Sequence, residues 1–117
     1  MSEALRARAR EARGAGALEG SGLRCARVEH AVCGDELEVD ARIEGEHIVA
    51  LAWRARGCPA TLAVAGCLCE AWQGSTVAGA GARLREELQR HGGLAAHERH
   101  ALNLALDALD RLRGGLS

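Results

Sequence analysis

The chain has 117 residues, 48% of them apolar, and its 15 basic and 16 acidic side chains leave a formal net charge of -1. That length suits a single domain that buries its own core without disulfide staples. The balanced charge offers no field for nucleic acid or an anionic membrane surface, and no run approaches the roughly 20 apolar residues of a membrane span.

The core has an unusual composition: two Trp, no Phe and no Tyr, so Leu, Ala and Val must fill it. Small residues of this kind favour helices that approach closely. The first residues, Met1-Ser2-Glu3-Ala4, lack the apolar centre of a secretory signal, which predicts a cytoplasmic protein. In a reducing compartment the five cysteines suit metal binding or thiol chemistry better than a disulfide framework.

Residues 3–13 have helical composition, with Arg6, Arg10 and Arg13 on one face, read either as a solvated surface or as a binding surface. Glycines mark 14–22 as a loop, and 23–32 as a first strand. Along 36–44 the apolar residues Leu37, Val39, Ala41 and Ile43 alternate with Glu36, Glu38, Asp40, Arg42 and Glu44, the period of a half-buried strand. After Glu44-Gly45-Glu46 a second alternation puts Val49, Leu51, Trp53 and Ala55 on one face. Pro59 suits the first position of a helix over 59–73 that buries Leu62, Ala65, Cys69 and Trp72 and is ended by Gly74. Ser75 or Thr76 would cap a further helix with the stripe Val77, Ala80, Leu84 and Leu88, broken at His91-Gly92-Gly93. A last helix over 94–113 has the face Ala101, Leu104, Ala105, Ala108 and Leu112. The fold class is therefore α+β: a three-stranded antiparallel sheet with helices packed on one face. One domain spans 1–117, divided into a helix and glycine-rich loop (1–22), the sheet (23–56) and helices (59–114).

Cys33-Gly34-Asp35 precedes the first strand of the hairpin, and Gly57-Cys58 follows its second. Antiparallel pairing brings these ends together, so Cys33, Asp35 and Cys58 form a candidate metal site; thiolates and a carboxylate suit zinc, iron or an iron–sulfur cluster. Asp35 has an alternative role as a turn former. The other cysteines do not fit such a site. Cys67 is nine residues past Cys58, about 13 Å of helical rise, and Cys69 is eleven past it, about 16 Å. Cys25 lies eight residues before Cys33, about 26 Å if extended. They read as strand, helix or core residues. His30 and His47 show no ligand spacing, and His97 and Glu98 are expected to face solvent.

The chain resembles the U-type iron–sulfur cluster assembly scaffolds: IscU, SufU and the N-terminal domain of NifU. The resemblance rests on Arg13-Gly14-Ala15-Gly16-Ala17-Leu18-Glu19, Val32-Cys33-Gly34-Asp35, Gly57-Cys58, Glu70 with Gly74-Ser75-Thr76, and His100-Ala101 with Asp107-Ala108-Leu109. It implies a set of three cysteine ligands, with an aspartate near the first and often a histidine before the third. Cys33, Asp35, Cys58 and His100 match that pattern, while Ala101 stands where the family has its third cysteine. Two sulfurs, an oxygen and an imidazole would make a tetrahedral zinc site or hold a labile [2Fe–2S] cluster, as histidine does in Rieske centres.

The resemblance implies a scaffold or carrier rather than an enzyme, one that binds iron or a transient [2Fe–2S] cluster and passes it to acceptor apoproteins. Its sulfur would come from a cysteine desulfurase. It would be a monomer or a cluster-bridged homodimer in which paired Cys33 and Cys58 supply the thiolates. The alternative is a degenerate, zinc-holding paralogue that docks a desulfurase or another assembly factor without building clusters. A sulfur transferase is the weaker third reading. Residues 91–99 lack the Leu-Pro-Pro-Val-Lys motif by which dedicated chaperones recognise some scaffolds.

Overall fold

A computed structural model describes residues 1–32 and 34–114. The elements run α1 (Glu3–Glu11), β1 (Leu23–Glu29), β2 (Glu36–Glu44), β3 (His47–Arg56), α2 (Pro59–Trp72), α3 (Ala80–Arg90), a short 3-10 turn (Ala96–Glu98) and α4 (Arg99–Gly114). The strands form an antiparallel sheet in the order β1-β2-β3. Helices α2 and α4 cover its inner face, and α1 packs on α2. The α+β fold with helices on an antiparallel sheet is as the sequence predicts.

Strand β2 keeps the predicted alternation: Leu37, Val39 and Ala41 are buried against the helices. Strand β3 departs from it. The register shifts between Arg42 and Ile43, so that Ile43 pairs with Ile48 and Arg42 with Ala50. Val49 is the extra residue of a bulge and turns outward at 39% exposure, while Ile48 takes the inner position. A single inserted residue reverses the face, which period-two counting over 47–51 cannot register.

Helix α2 is buried on almost every side, from Ala60 to Trp72, with Leu62 and Cys69 only partly covered. The small residues allow this: a Cβ at Gly66 would press on the Arg8 carbonyl, so α1 crosses α2 at backbone contact. Arg8 and Arg13 lock the crossing through the Glu70 carboxylate, the latter at 2.7 Å. Three boundaries differ from expectation. The last helix begins at Arg99, after the 3-10 turn, rather than at 94. Strand β1 stops at Glu29 because His30 opens a tight loop, accepting from Gly34 N and donating to the Asp35 carbonyl, each at 2.8 Å. Helix α3 starts at Ala80, since Thr76 spends its hydroxyl on Gly79 N (3.1 Å) in a turn before the helix.

The glycine-rich leader is fastened rather than loose. Gly14 O accepts from Trp53 N (3.0 Å) and Gly16 N donates to Trp53 O (2.9 Å), which covers the free edge of β3. On the outer face Arg54 holds Asp40 through two bonds of 3.0 Å and reaches Gly16 O at 2.7 Å, while Leu18 N donates to Asp40. The Arg54 guanidinium beside it holds the Asp40 carboxyl below the usual range, against its burial.

Candidate metal centre

The end of the sheet nearest α2 gathers three potential ligands. Glu36 pairs with Arg56, so the residues just outside the hairpin, Asp35 and Gly57, meet. They meet closely: Gly57 has φ +147°, and a Cβ there would overlap the Asp35 carboxylate. Glycine is what lets the backbone pass the carboxylate and deliver Cys58 beside it. Cys58 is the N-cap of α2, with extended backbone angles, and Pro59 opens the helix. Negative charge is favoured at such a helix start.

Asp35 is 4% exposed. Burial works against its charge, but hydrogen bonds from Thr61, Cys58 and His100, with a further one from the Cys58 backbone, outweigh it and hold the carboxyl below the ordinary range. Thr61, itself buried, donates to Asp35 Oδ2 at 2.8 Å. His100 reaches in from the first turn of α4, with Nε2 3.0 Å from Asp35 Oδ2 and 3.2 Å from Cys58 Sγ. Its Nδ1 faces the His97 carbonyl at 3.2 Å. A carbonyl only accepts, so Nδ1 donates there, and Nε2, turned to the carboxylate and thiol, donates to Asp35 when it carries a proton and offers its lone pair to a metal when it does not.

The donor atoms of Asp35, Cys58 and His100 all lie within 4.8 Å of one another. Three electron-rich atoms at this spacing need a positive centre among them, a proton or a metal cation. Metal–sulfur, metal–nitrogen and metal–oxygen bonds of about 2.3, 2.0 and 2.1 Å in a tetrahedron put such donors about 3.3–3.6 Å apart. Opening the trio by a few tenths of an ångström would therefore admit one ion. The three described residues suit a single zinc or ferrous ion, whereas a two-iron cluster takes four terminal ligands.

Of the predicted site residues, Asp35, Cys58 and His100 converge, and Cys33 lies outside the described residues. Ala101 is buried in the core at 1% exposure. Cys25 is exposed in mid-strand, its thiol pushed up by a hydrogen bond with Asp40. Burial pushes the Cys67 thiol up to about 12, and the Cys69 thiol up as well. His47 sits at the opposite end of the hairpin, paired with Glu44. Sequence reasoning passed over three neighbours. His30 sets its ring edge-on to His100, centroids 5.4 Å apart; its place one residue past β1, across from Asp35, was the available signal. Thr61, three residues into the Cys58 segment, was another. Glu98, expected in solvent, is buried because it turns back to accept from Ala95 N (2.9 Å) and sits 3.5 Å from the Met1 amine.

A three-stranded antiparallel sheet backed by helices is the architecture of a known group of small α+β domains. Residues 4–112 match the family described as the NifU-like N terminal domain, and the chain belongs to that family. It is 34% identical over 85 residues to the "Bifunctional protein NifU/MnmA" of Rubrobacter xylanophilus, an alignment covering 70% of this chain and 17% of that protein. The fold is shared with the N-terminal NifU-like protein of Brucella abortus, at TM-score 0.69 and 12% identity over 96% of this chain and 93% of the other. It is shared too with a putative iron–sulfur cluster assembly scaffold protein for the SUF system of Fervidobacterium islandicum (TM-score 0.61, 19% identity, 99% and 84% covered). No helix among the described residues is long and apolar enough to cross a membrane.

Proposed function

We propose that this protein is an iron–sulfur cluster assembly scaffold or carrier that binds iron or a transient [2Fe–2S] cluster and hands it to acceptor apoproteins. Family membership supports the scaffold reading. The single observation that carries the metal reading is the convergence of Asp35, Cys58 and His100 within 4.8 Å. Cys33, at the start of the same segment as Asp35, is the fourth proposed ligand. In this role Cys33 and Cys58 bind as thiolates, Asp35 adds a hard oxygen that keeps the cargo exchangeable, and His100 completes the shell. The proposed partners are a cysteine desulfurase and apoproteins, in the cytoplasm, with the carrier acting as a monomer or as a homodimer bridged by one cluster.

One observation favours a second reading. The trio points to one ion, and the family's third cysteine position is the core residue Ala101. A zinc-holding paralogue that docks a desulfurase without building clusters accounts for both.

Anaerobic purification, followed by reconstitution with iron, cysteine and a desulfurase and assay of bound zinc, iron and sulfide, separates the two. A [2Fe–2S] cluster that transfers to an apoprotein supports the scaffold; tightly held zinc with no cluster sinks it. Metal should be lost in Cys58→Ala and His100→Ala but kept in Cys67→Ala, and a large gain of cluster in Ala101→Cys would show that the native site is short of one thiolate.

A further inference from the structure

Helices α3 and α4 touch at Gly81, where a Cβ would stand 3.3 Å from Leu106 and 3.6 Å from Leu109. Beyond that contact an open cleft of about 500 Å³ lies between them. Each helix lines it with the same short pattern, an arginine, then a leucine and an amide one turn later. Arg85, Leu88 and Gln89 come from α3; Arg99, Leu102 and Asn103 come from α4. The i, i+3, i+4 spacing sets each trio on one face of its helix. The leucines make the floor, Leu88 at 3% exposure and Leu102 half-buried, while the arginines and amides stand exposed along the walls.

The charge of this cleft is one-sided. No acidic side chain lines it among the described residues. The side chains of Arg85, Arg99, Gln89 and Asn103 make no hydrogen bond or ion pair among the described residues. Acids on the same segments are engaged or turned away: Glu87 holds Arg90 and His91, Glu98 holds the Ala95 amide and the Met1 amine, and exposed Glu86 lies outside the lining.

These groups define an occupant. A guanidinium fork matches a carboxylate. An amide side chain offers a donor and an acceptor, which a peptide main chain uses and a plain carboxylic acid does not. A helix satisfies its own main chain, so the amides serve an extended segment. In such a segment alternate side chains point to opposite sides, which separates an aliphatic residue for the floor from flanking acids for the exposed arginines. Small-molecule sites bury most of their ligand, whereas these exposed walls leave one side of the occupant to solvent, as suits part of a larger molecule.

We propose that the cleft docks an extended acidic segment of a partner protein, with an aliphatic residue between two carboxylates. The carboxylates take Arg85 and Arg99, the aliphatic side chain lies on Leu88 and Leu102, and Gln89 and Asn103 hold the main chain. The docked segment bears on the first turn of α4, which carries His100 to Cys58. The inference does not depend on metal binding.

Fluorescence anisotropy of metal-free protein with the fluorescein-labelled peptide Gly-Ser-Glu-Leu-Glu-Ser-Gly tests it. The peptide should bind saturably, and about tenfold more weakly to Arg85→Gln and to Arg99→Gln, the effect of one charge-assisted pair each. Arg6→Gln, which removes an exposed cation outside the cleft, should bind as wild type does. Exchanging the peptide's leucine for serine should weaken binding about tenfold. Thermal melts by circular dichroism establish that each variant is folded, and either arginine variant decides the matter if the other is not. Absence of saturable binding to wild type overturns the proposal, and so does an equal loss in Arg6→Gln, the mark of a general charge effect. Octanoate bound as tightly as the peptide would make this a small-molecule site and overturn it too. So would a wild-type dimer in sedimentation that Arg85→Gln dissociates, since the occupant would then be a second copy.

Discussion

Replacing Thr61 by valine tests the architecture of the site without touching a proposed ligand. Valine keeps the shape and removes one donor. Thr61 is 2% exposed and its hydroxyl donates at 2.8 Å to an Asp35 carboxylate that is 4% exposed, so the bond is dry on both sides. A hydrogen bond to a charged group contributes about 1.5–3 kcal/mol, and the carboxylate left behind has no water to turn to. The expected loss is about 2 kcal/mol in urea unfolding of metal-free protein at neutral pH, or roughly 8 °C in Tm for a domain of this size. A double-mutant cycle with Asp35→Asn should return a coupling of at least about 1 kcal/mol. The pH dependence has a definite sign. Asp35 is held below its ordinary value, so its contribution is present above the unfolded value of about 3.9 and is lost as pH falls through the lower folded one. Thr61→Val raises the folded value, so the difference between wild type and variant should shrink below about pH 4. A loss under about 0.5 kcal/mol, or a coupling near zero, would refute the view that Thr61 sets this carboxylate.

Gly57→Ala should cost at least about 2 kcal/mol, because φ +147° is strained for any Cβ and that Cβ would meet the Asp35 carboxylate; a chemical melt within about 0.5 kcal/mol of wild type contradicts the close crossing. Cys67 is fully buried with its thiol raised to about 12. Its stabilising effect is complete below the ordinary thiol value and is lost as pH rises toward 12, so Cys67→Ala should flatten the alkaline limb of a stability profile, and the native thiol should resist alkylation at about pH 8. Asp40→Ala releases both Arg54 bonds and the Leu18 amide, and should cost about 1–3 kcal/mol with faster proteolysis in 14–20; unchanged cleavage would mean the leader is held by other contacts.

The sheet and the Asp35–Cys58 approach were legible because both are consequences of period two. Alternation in 36–44 set β2, and two strands joined by a short turn must bring their outer ends together. The bulge at Val49 was not legible, since the residue that reverses the face is as apolar as its neighbours. The start of α3 was missed for a related reason: Thr76 is a good helix cap by type, yet tertiary pairing of His47 with Thr76 and of Val77 N with Glu46 O keeps that segment in a turn. His100 could not be derived from spacing at all. It lies 42 positions from Cys58, brought there by the packing of α4 on the sheet, and only the family resemblance pointed to it. His30 and Thr61 carried no ligand signature, because a residue that orients a ligand needs only a position beside it.

The same packing bears on Ala101. Successive residues on a helix point about 100° apart, so while His100 turns to Cys58, its neighbour turns into the core formed with Leu104, Ala105 and the sheet. With alanine there, the position is closed by core packing at 1% exposure. A cysteine at 101 would have to trade core packing for reach, at about 1–3 kcal/mol if the core does not yield.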